Sequence, residues 1–287
     1  MVVQTTARLT QGEELCLPGG LIEKGARLRE FAFRSVTGQL ELALAEAVEE
    51  AVSFPAAVTE VLCRALASLG GRPASQQRVR NLCVSDRQFL LRRLQIHLGD
   101  GANWYSSECA ICRACFDFHL SLAELPVGEA GSTYPFVFLR NRERRLRLCL
   151  PTGGDQEAIA AIDDESESRW ELLRRCWATG RRSAGEGDWE GIRTSGAEII
   201  DLAEAAMESV APALVLTIQS ACPDCGAENQ VEIGPPRLLS QGADDLLGEI
   251  HRLASHYHWG EAEILQMPRR RRQRYLRLLD EARGMVH

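Results

Sequence analysis

The stretch ACPDCGAENQVEI, residues 221 to 233, sets Cys222 and Cys225 with two residues between them, beside Pro223 and Gly226. That spacing lets both thiolates point at one ion from a tight turn. A structural zinc takes four ligands in a tetrahedron, so this turn supplies half a site. No cysteine follows Cys225, so the other half must lie upstream.

Upstream, SSECAICRACFDF carries Cys109, Cys112 and Cys115. CFDFHLSL alternates, with Phe116, Phe118, Leu120 and Leu122 on one face, as a half-buried strand does. LVLTIQS precedes the second pair in the same manner. Each CxxC turn is therefore expected to cap a hairpin, the arrangement of a zinc ribbon. The two pairs are separated by the 109 residues from 113 to 221, far beyond the ~15–20 of a continuous ribbon. The site is split, with a largely helical insertion between its halves. The expected ligands are Cys109, Cys112, Cys222 and Cys225, holding a structural Zn2+. Cys115 is the alternative first-knuckle ligand, since CRAC is also a CxxC. Its place at the head of the apolar run suits inward packing instead. Four thiolates leave no open position for water, so such a site is structural rather than catalytic.

Outward from these turns, the pattern is mixed. LREFAFRSV alternates like a strand. SFPAAVTEVLCRALASLGG carries a helical stripe through Val58, Val61, Leu62, Ala65, Leu66 and Leu69, stopped by Gly70 and Gly71. VSDRQFLLRRLQIHLGDG opens with Ser85 and Gln88 in capping-box spacing. YPFVFLRNRERRLRLCLPTGG reads as two strands around a polar turn. DQEAIAAI, SESRWELLRRCWATG and TSGAEIIDLAEAAMESV read as helices. The last pairs Ser195 with Glu198 as a second box and has a stripe through Ile199, Leu202, Ala206 and Met207. Residues 181 to 191 read as a linker. Near the C-terminus, Leu246, Leu247, Ile250, Leu253, Ala254 and Tyr257 share a face, and Pro268 suits the first turn of a final helix.

The expected class is α+β: a mostly helical body with short antiparallel hairpins forming the split ribbon, and a C-terminal helical pair. The expected organisation is an extended N-terminal segment (1–36), a body (37–240) containing the ribbon halves (109–126 and 212–234), and the pair (241–287).

Composition narrows the function. The chain has 287 residues, 45% hydrophobic and 25% charged, with a net charge of −7. Those fractions are ordinary for a globular protein, and the charge argues against a chain built throughout to grip nucleic acid. No apolar run approaches the ~20 residues of a membrane span. The N-terminus lacks the basic-then-apolar order of a signal peptide, so the expected location is cytoplasmic. Reduced thiols suit that compartment, and Cys16, Cys63, Cys83, Cys149 and Cys176 read as small core residues. His119 has no ligand-spaced partner, and His251, His256 and His258 do not share a helix face. GxSxG, GxxxxGK, HExxH and GxGxxG are all absent. The expectation is a protein that is not an enzyme. The run Arg269 to Arg272 invites a nucleic-acid reading. Against it, seven Arg face four acidic residues from Glu261 onward, a net of only +3, and Tyr275, Leu276, Leu278 and Leu279 form an ordinary packing stripe.

The order of these pieces resembles a known family. TGQLELALAEA, SFPAAVTEVLCRALASLGG, SDRQFLL, the two knuckles, RLRLCLPTGGDQEAI and the ending YHWGEAEIL with RRRRQRYL look like the T-even-type phage baseplate protein family, the baseplate hub assembly chaperones. Relatives occur in contractile tails and extracellular contractile injection systems. The resemblance spans roughly residues 25 to 283, and the first knuckle departs from the usual CPxCG form. It implies a non-enzymatic role in building or forming a baseplate, with other baseplate or tail proteins as partners and incorporation into a particle. The ending implies a partner-binding surface with Tyr257, Trp259, Ile264, Leu265, Arg270, Arg271 and Tyr275.

Overall fold

Eight residues at each end of a tight turn begin the fold in the computed structural model, which describes residues 16–141, 144–180, 186–194, 196–233, 243–282 and 284. Strands β1 (Cys16–Glu23) and β2 (Ala26–Phe33) form this hairpin within the segment read as extended. Helices α1 (Gly38–Glu49) and α2 (Phe54–Ala65) follow, each opened by a hydroxyl cap: Thr37 Oγ1 accepts from the Leu40 N–H and Ser53 Oγ from the Ala56 N–H. Next come β3 (Leu66–Leu69), β4 (Arg72–Pro73), α3 (Gln76–Arg80) and α4 (Val84–Leu98). The four strands pair antiparallel in the order β1-β2-β3-β4.

The helix expected to run to Leu69 therefore ends at Ala65. At Leu66 the backbone turns extended, and residues 66–69 pair with the open edge of β2. Leu66 and Leu69 are still buried, so the apolar spacing survives in a different backbone. Gly70 and Gly71, both at positive φ, form the turn into β4 rather than a helix stop. The Ser85–Gln88 box also does not form. Helix α4 starts two residues earlier, with Cys83 rather than Ser85 at its N-cap and no side-chain cap. The first-turn anchor is instead Asp86, wholly buried, which accepts from the Gly19 N–H at 2.8 Å and the Gly20 N–H at 2.6 Å. Burial raises its pKa, opposed by those two donors. A Cβ on Gly19 would lie 2.5 Å from the Asp86 carboxylate, so the PGG turn seats on α4 only as glycine. Leu17, Leu21, Phe31, Leu62, Leu90 and Leu94 are among the residues that close this first core.

The chain continues through β5 (Ala102–Glu108), β6 (Cys115–Ser121), β7 (Val127–Gly128), β8 (Phe136–Asn141) and β9 (Arg144–Cys149). Then come α5 (Gly153–Ile159), α6 (Glu165–Gly180), α7 (Glu186–Arg193) and α8 (Glu198–Val210). The β8–β9 hairpin, covered by α6 and α8, centres a second core with Val137, Leu148, Leu173, Trp177, Ile199 and Ile200. Part of the stretch read as a linker is thus helical, and residues 181–185 lie outside the described ones. So does Ser195, and with it the second capping box; the N-cap is Ala197, without a side-chain cap. The stripe on α8 is rotated from the expected one. Ile199, Ile200 and Ala203 are buried, while Leu202 is 57% exposed, because the β8 sheet lies across the Ile200 side of the helix.

Strands β10 (Ala213–Leu214), β11 (Thr217–Ala221) and β12 (Glu228–Glu232) precede α9 (Asp244–Tyr257), α10 (Glu261–Gln266) and α11 (Arg269–Ala282). The C-terminal pair is three helices among the described residues. They close a third core around Leu246, Ile250, Leu253, Ile264, Leu276 and Leu279, and Leu42 of α1 packs against it. Leu247, expected on that face, is 44% exposed. Pro268 stands just before α11, its carbonyl accepting from the Arg271 and Arg272 N–H groups. The class is mixed α+β with small antiparallel sheets, and no described helix is long and apolar enough to cross a membrane.

Candidate metal centre

The two CxxC turns are built alike. In the first, β5 and β6 pair down to Glu108 opposite Cys115, leaving residues 109–114 as the loop. In the second, β11 and β12 pair down to Ala221 opposite Glu228, leaving 222–227. Each loop is closed by the same two backbone bonds. The Cys109 N–H donates to Ala114 O at 2.9 Å, and the Arg113 N–H to Cys109 O at 3.0 Å. The Cys222 N–H donates to Ala227 O and the Gly226 N–H to Cys222 O, both at 2.9 Å. The residue after the second cysteine is left-handed in each: Gly226 at φ 72° and Arg113 at φ 63°. Glycine adopts that geometry freely, whereas for an arginine it costs ~1–2 kcal/mol. Arg113 adopts the turn nonetheless, its guanidinium reaching Glu108 at 2.9 Å.

These matching loops bring Cys109, Cys112, Cys222 and Cys225 together, their sulfurs all within 4.8 Å of one another. The Cys109–Cys225 and Cys112–Cys222 sulfur pairs are each 3.7 Å apart. A tetrahedral ion with metal–sulfur bonds of ~2.3 Å requires sulfur–sulfur edges of ~3.8 Å. The donor set thus fits a tetrahedral metal that takes thiolates. Cys109 and Cys222 are buried inside, while Cys112 and Cys225 close the outer side. The Cys112 and Ile111 N–H groups aim at the Cys109 sulfur and hold its pKa down to about 6. At Cys112 the Ala114 N–H pulls down, but the neighbouring sulfurs, Cys225 foremost, push the thiol up to about 12. Four sulfurs this close cannot all ionise without a cation among them.

Cys115 is not in the cluster. It is exposed on β6, so the inward packing expected of it is wrong; Phe116, the next residue, takes the buried phase. His119 is also exposed, its ring edge-on to Trp104 at 5.7 Å.

One buried residue of the site was missed from sequence. Asn229 is 5% exposed and bridges the halves: its Oδ1 accepts from the Ala110 N–H at 2.9 Å, and its Nδ2 donates to Ala227 O at 2.8 Å. The readable signal is an amide in the inward phase of ENQVE, where an apolar residue belongs. Asn229→Ala is expected to strand the Ala110 N–H and cost ~1–3 kcal/mol of local stability. Faster hydrogen exchange at 109–114, with the first core unaffected, is the readout; unchanged exchange there would refute the bridge.

The expected partner residues lie elsewhere. Tyr257, Trp259 and Tyr275 form a half-buried aromatic cluster, with Tyr257 stacked on Trp259 at 4.5 Å. Arg271 lies 5.8 Å from the Tyr275 ring centre, and Arg270 is exposed. Ile264 is fully buried and Leu265 partly so, both within the third core. The arginine run is divided. Arg269 binds Leu98 O and Asp100, and Arg272 is fully buried between Glu41 and Glu249, so neither is free for phosphate. No protein-family model, curated protein or solved structure matches this chain.

Proposed function

We propose that this protein is a non-enzymatic baseplate component, or baseplate assembly factor, of a phage-tail-like contractile injection system. In this reading Cys109, Cys112, Cys222 and Cys225 bind Zn2+ as a split zinc ribbon. The observation that carries the structural role is the closed donor set: four sulfurs within 4.8 Å leave no coordination position for a substrate or water. The metal would fasten two hairpins from distant parts of the chain, the task of an ion in a scaffold. The baseplate assignment rests on the sequence resemblance between residues 25 and 283. Partners would be other baseplate or tail proteins, met in the cytoplasm or within the particle. The aromatic cluster at Tyr257, Trp259 and Tyr275, with Arg270 and Arg271 beside it, offers the amphipathic contact such partners use.

Two measurements test the two parts separately. Elemental analysis of the purified chain should return one zinc per molecule; none, or iron, would reject the zinc ribbon. Tagged purification from the native host after nuclease treatment, with mass spectrometry of free and particle fractions, should recover baseplate proteins. Recovery in particles makes the chain a component, and recovery only in the free pool makes it an assembly factor. No tail protein in either fraction would reject the baseplate reading.

A further inference from the structure

A groove of about 550 Å³ lies between α2, α4 and the arm formed by β10, β11 and β12. Its walls are apolar: Leu91 and Leu122 are buried within it, while Phe54 and Leu216, 57% and 45% exposed, stand at its rim. Its floor is not. Gln88, Arg92 and Gln95 fall on one face of α4 at i, i+4 and i+7, and all three line the groove. Arg92 is 8% exposed and Gln95 5%. Gln88 is exposed at the groove's edge, but a buried polar pair such as Arg92 and Gln95 is the informative kind of exception in a core.

Arg92 is the anomaly. Among the described residues its one hydrogen bond runs from Nη2 to Val215 O at 2.6 Å, and Nη1 is buried with no partner. It has no ion pair. Glu232, the carboxylate lining the groove, is exposed at the mouth and makes none with it. The other arginine in the wall, Arg87, is 2% exposed and reaches Glu157 only through the Thr59 hydroxyl. Burying a guanidinium without its counter-charge is costly, so the wall holds a positive field in a water-poor cleft.

We infer that this groove binds a peptide segment of a partner protein in which a carboxylate is flanked by large apolar side chains. The carboxylate is the counter-charge that Arg92 lacks. The apolar side chains fill the walls and cover Phe54 and Leu216. Glutamines on the floor match main-chain amides, which a fatty acid would leave unanswered. The site is read from the wall chemistry and stands independently of the baseplate proposal.

Random short peptides displayed against the full-length chain test this. Enriched sequences are expected to share an Asp or Glu between large apolar residues. Changing that acid to its amide should weaken binding on the order of tenfold, the effect of one charge-assisted hydrogen bond. Arg92→Gln should weaken the acidic peptide to the same degree and leave the amide peptide unaffected. Because Arg92 also holds Val215, Leu216→Asp on the exposed rim serves as a second variant and should repel the acidic peptide while the chain stays folded. Enrichment of peptides without a shared acid, no enrichment, or equal affinity of acid and amide forms would overturn the proposal. So would dodecanoate binding at the groove where no peptide does, which would make it a lipid site.

Discussion

Cys222→Ser is expected to abolish metal binding and unfold the two knuckle hairpins while the first core stays intact. Among the described residues, little besides the four-cysteine cluster and the Asn229 bridge joins these hairpins. Their shared core comprises Cys109, Phe116 and Cys222, with Phe118 and Ala227 packed against it, and each sheet has only two strands. Two-stranded hairpins are at best marginally stable in water. Structural zinc in small peptides contributes ~10–16 kcal/mol, and less where the surroundings are preformed. Loss of one thiolate should therefore remove most of the local stability. Hydrogen exchange at 102–121 and 217–232 should become fast, while 58–66 and 84–98, whose side chains fill the first core, stay protected. Cys109→Ser, Cys112→Ser and Cys225→Ser should behave the same way, and a strong chelator should reproduce them. Cys115→Ser is the control, with metal content and exchange unchanged, because Cys115 lies outside the cluster. Full metal retention in Cys109→Ser, with loss in Cys115→Ser, would shift the first knuckle to Cys112 and Cys115 and sink this assignment.

The knuckles were legible because their geometry is local. Two intervening residues set the reach between thiolates, and period-2 alternation in CFDFHLSL set the hairpin beside them. That the halves meet across 109 residues followed from the ion's need for four ligands, a constraint strong enough to override sequence distance. Asn229 was hidden for the opposite reason. Its role is a hydrogen bond to the other half, and nothing in ENQVE names a distant acceptor or donor.

Elsewhere the apolar pattern identified what is buried more reliably than what backbone buries it. Leu66 and Leu69 continue the spacing of α2, yet the open edge of β2 captures them as a strand, since pairing of backbone groups outweighs the few tenths of a kcal/mol per residue, roughly, by which Leu and Ala favour a helix. Ser85 had the spacing for a cap, but α4 begins at Val84 and the anchoring falls to Asp86 through the PGG turn. On α8 the choice between Leu202 and Ile200 depends on where β8 lies, which no single-helix pattern contains. The Arg run misleads in the same way. Its composition reads as a solvated or phosphate-facing cluster, while two of its four members face inward to acids on other elements.

Arg272 provides the second large effect. Its guanidinium is fully buried; Nε donates to Glu249 at 2.7 Å and Nη2 to Glu41 at 2.5 Å. Thus α11 is tied to α9 and, across 231 positions of sequence, to α1. A Cβ on Gly38 would come within 2.9 Å of Nη1, so the helix α1 start is glycine where the guanidinium passes. Arg272→Met is expected to cost ~3–5 kcal/mol, because two carboxylates are then left without their cation in a poorly hydrated site. Burial already raises the pKa of Glu41 against the pull of Arg272 and, less strongly, Arg269; without Arg272 only Arg269 still opposes that rise. Arg270→Ala, on the exposed side of the same helix, should change stability by no more than ~0.5 kcal/mol. Replacing all three partners with apolar residues, Glu41→Leu, Glu249→Leu and Arg272→Met together, should restore most of the loss, since the penalty lies in unpaired charge rather than in the ion pairs removed. Denaturant unfolding of the three variants measures each. A cost below ~1 kcal/mol for Arg272→Met would refute the triad as the tie between α11 and α1, leaving that junction to the apolar contacts of the third core.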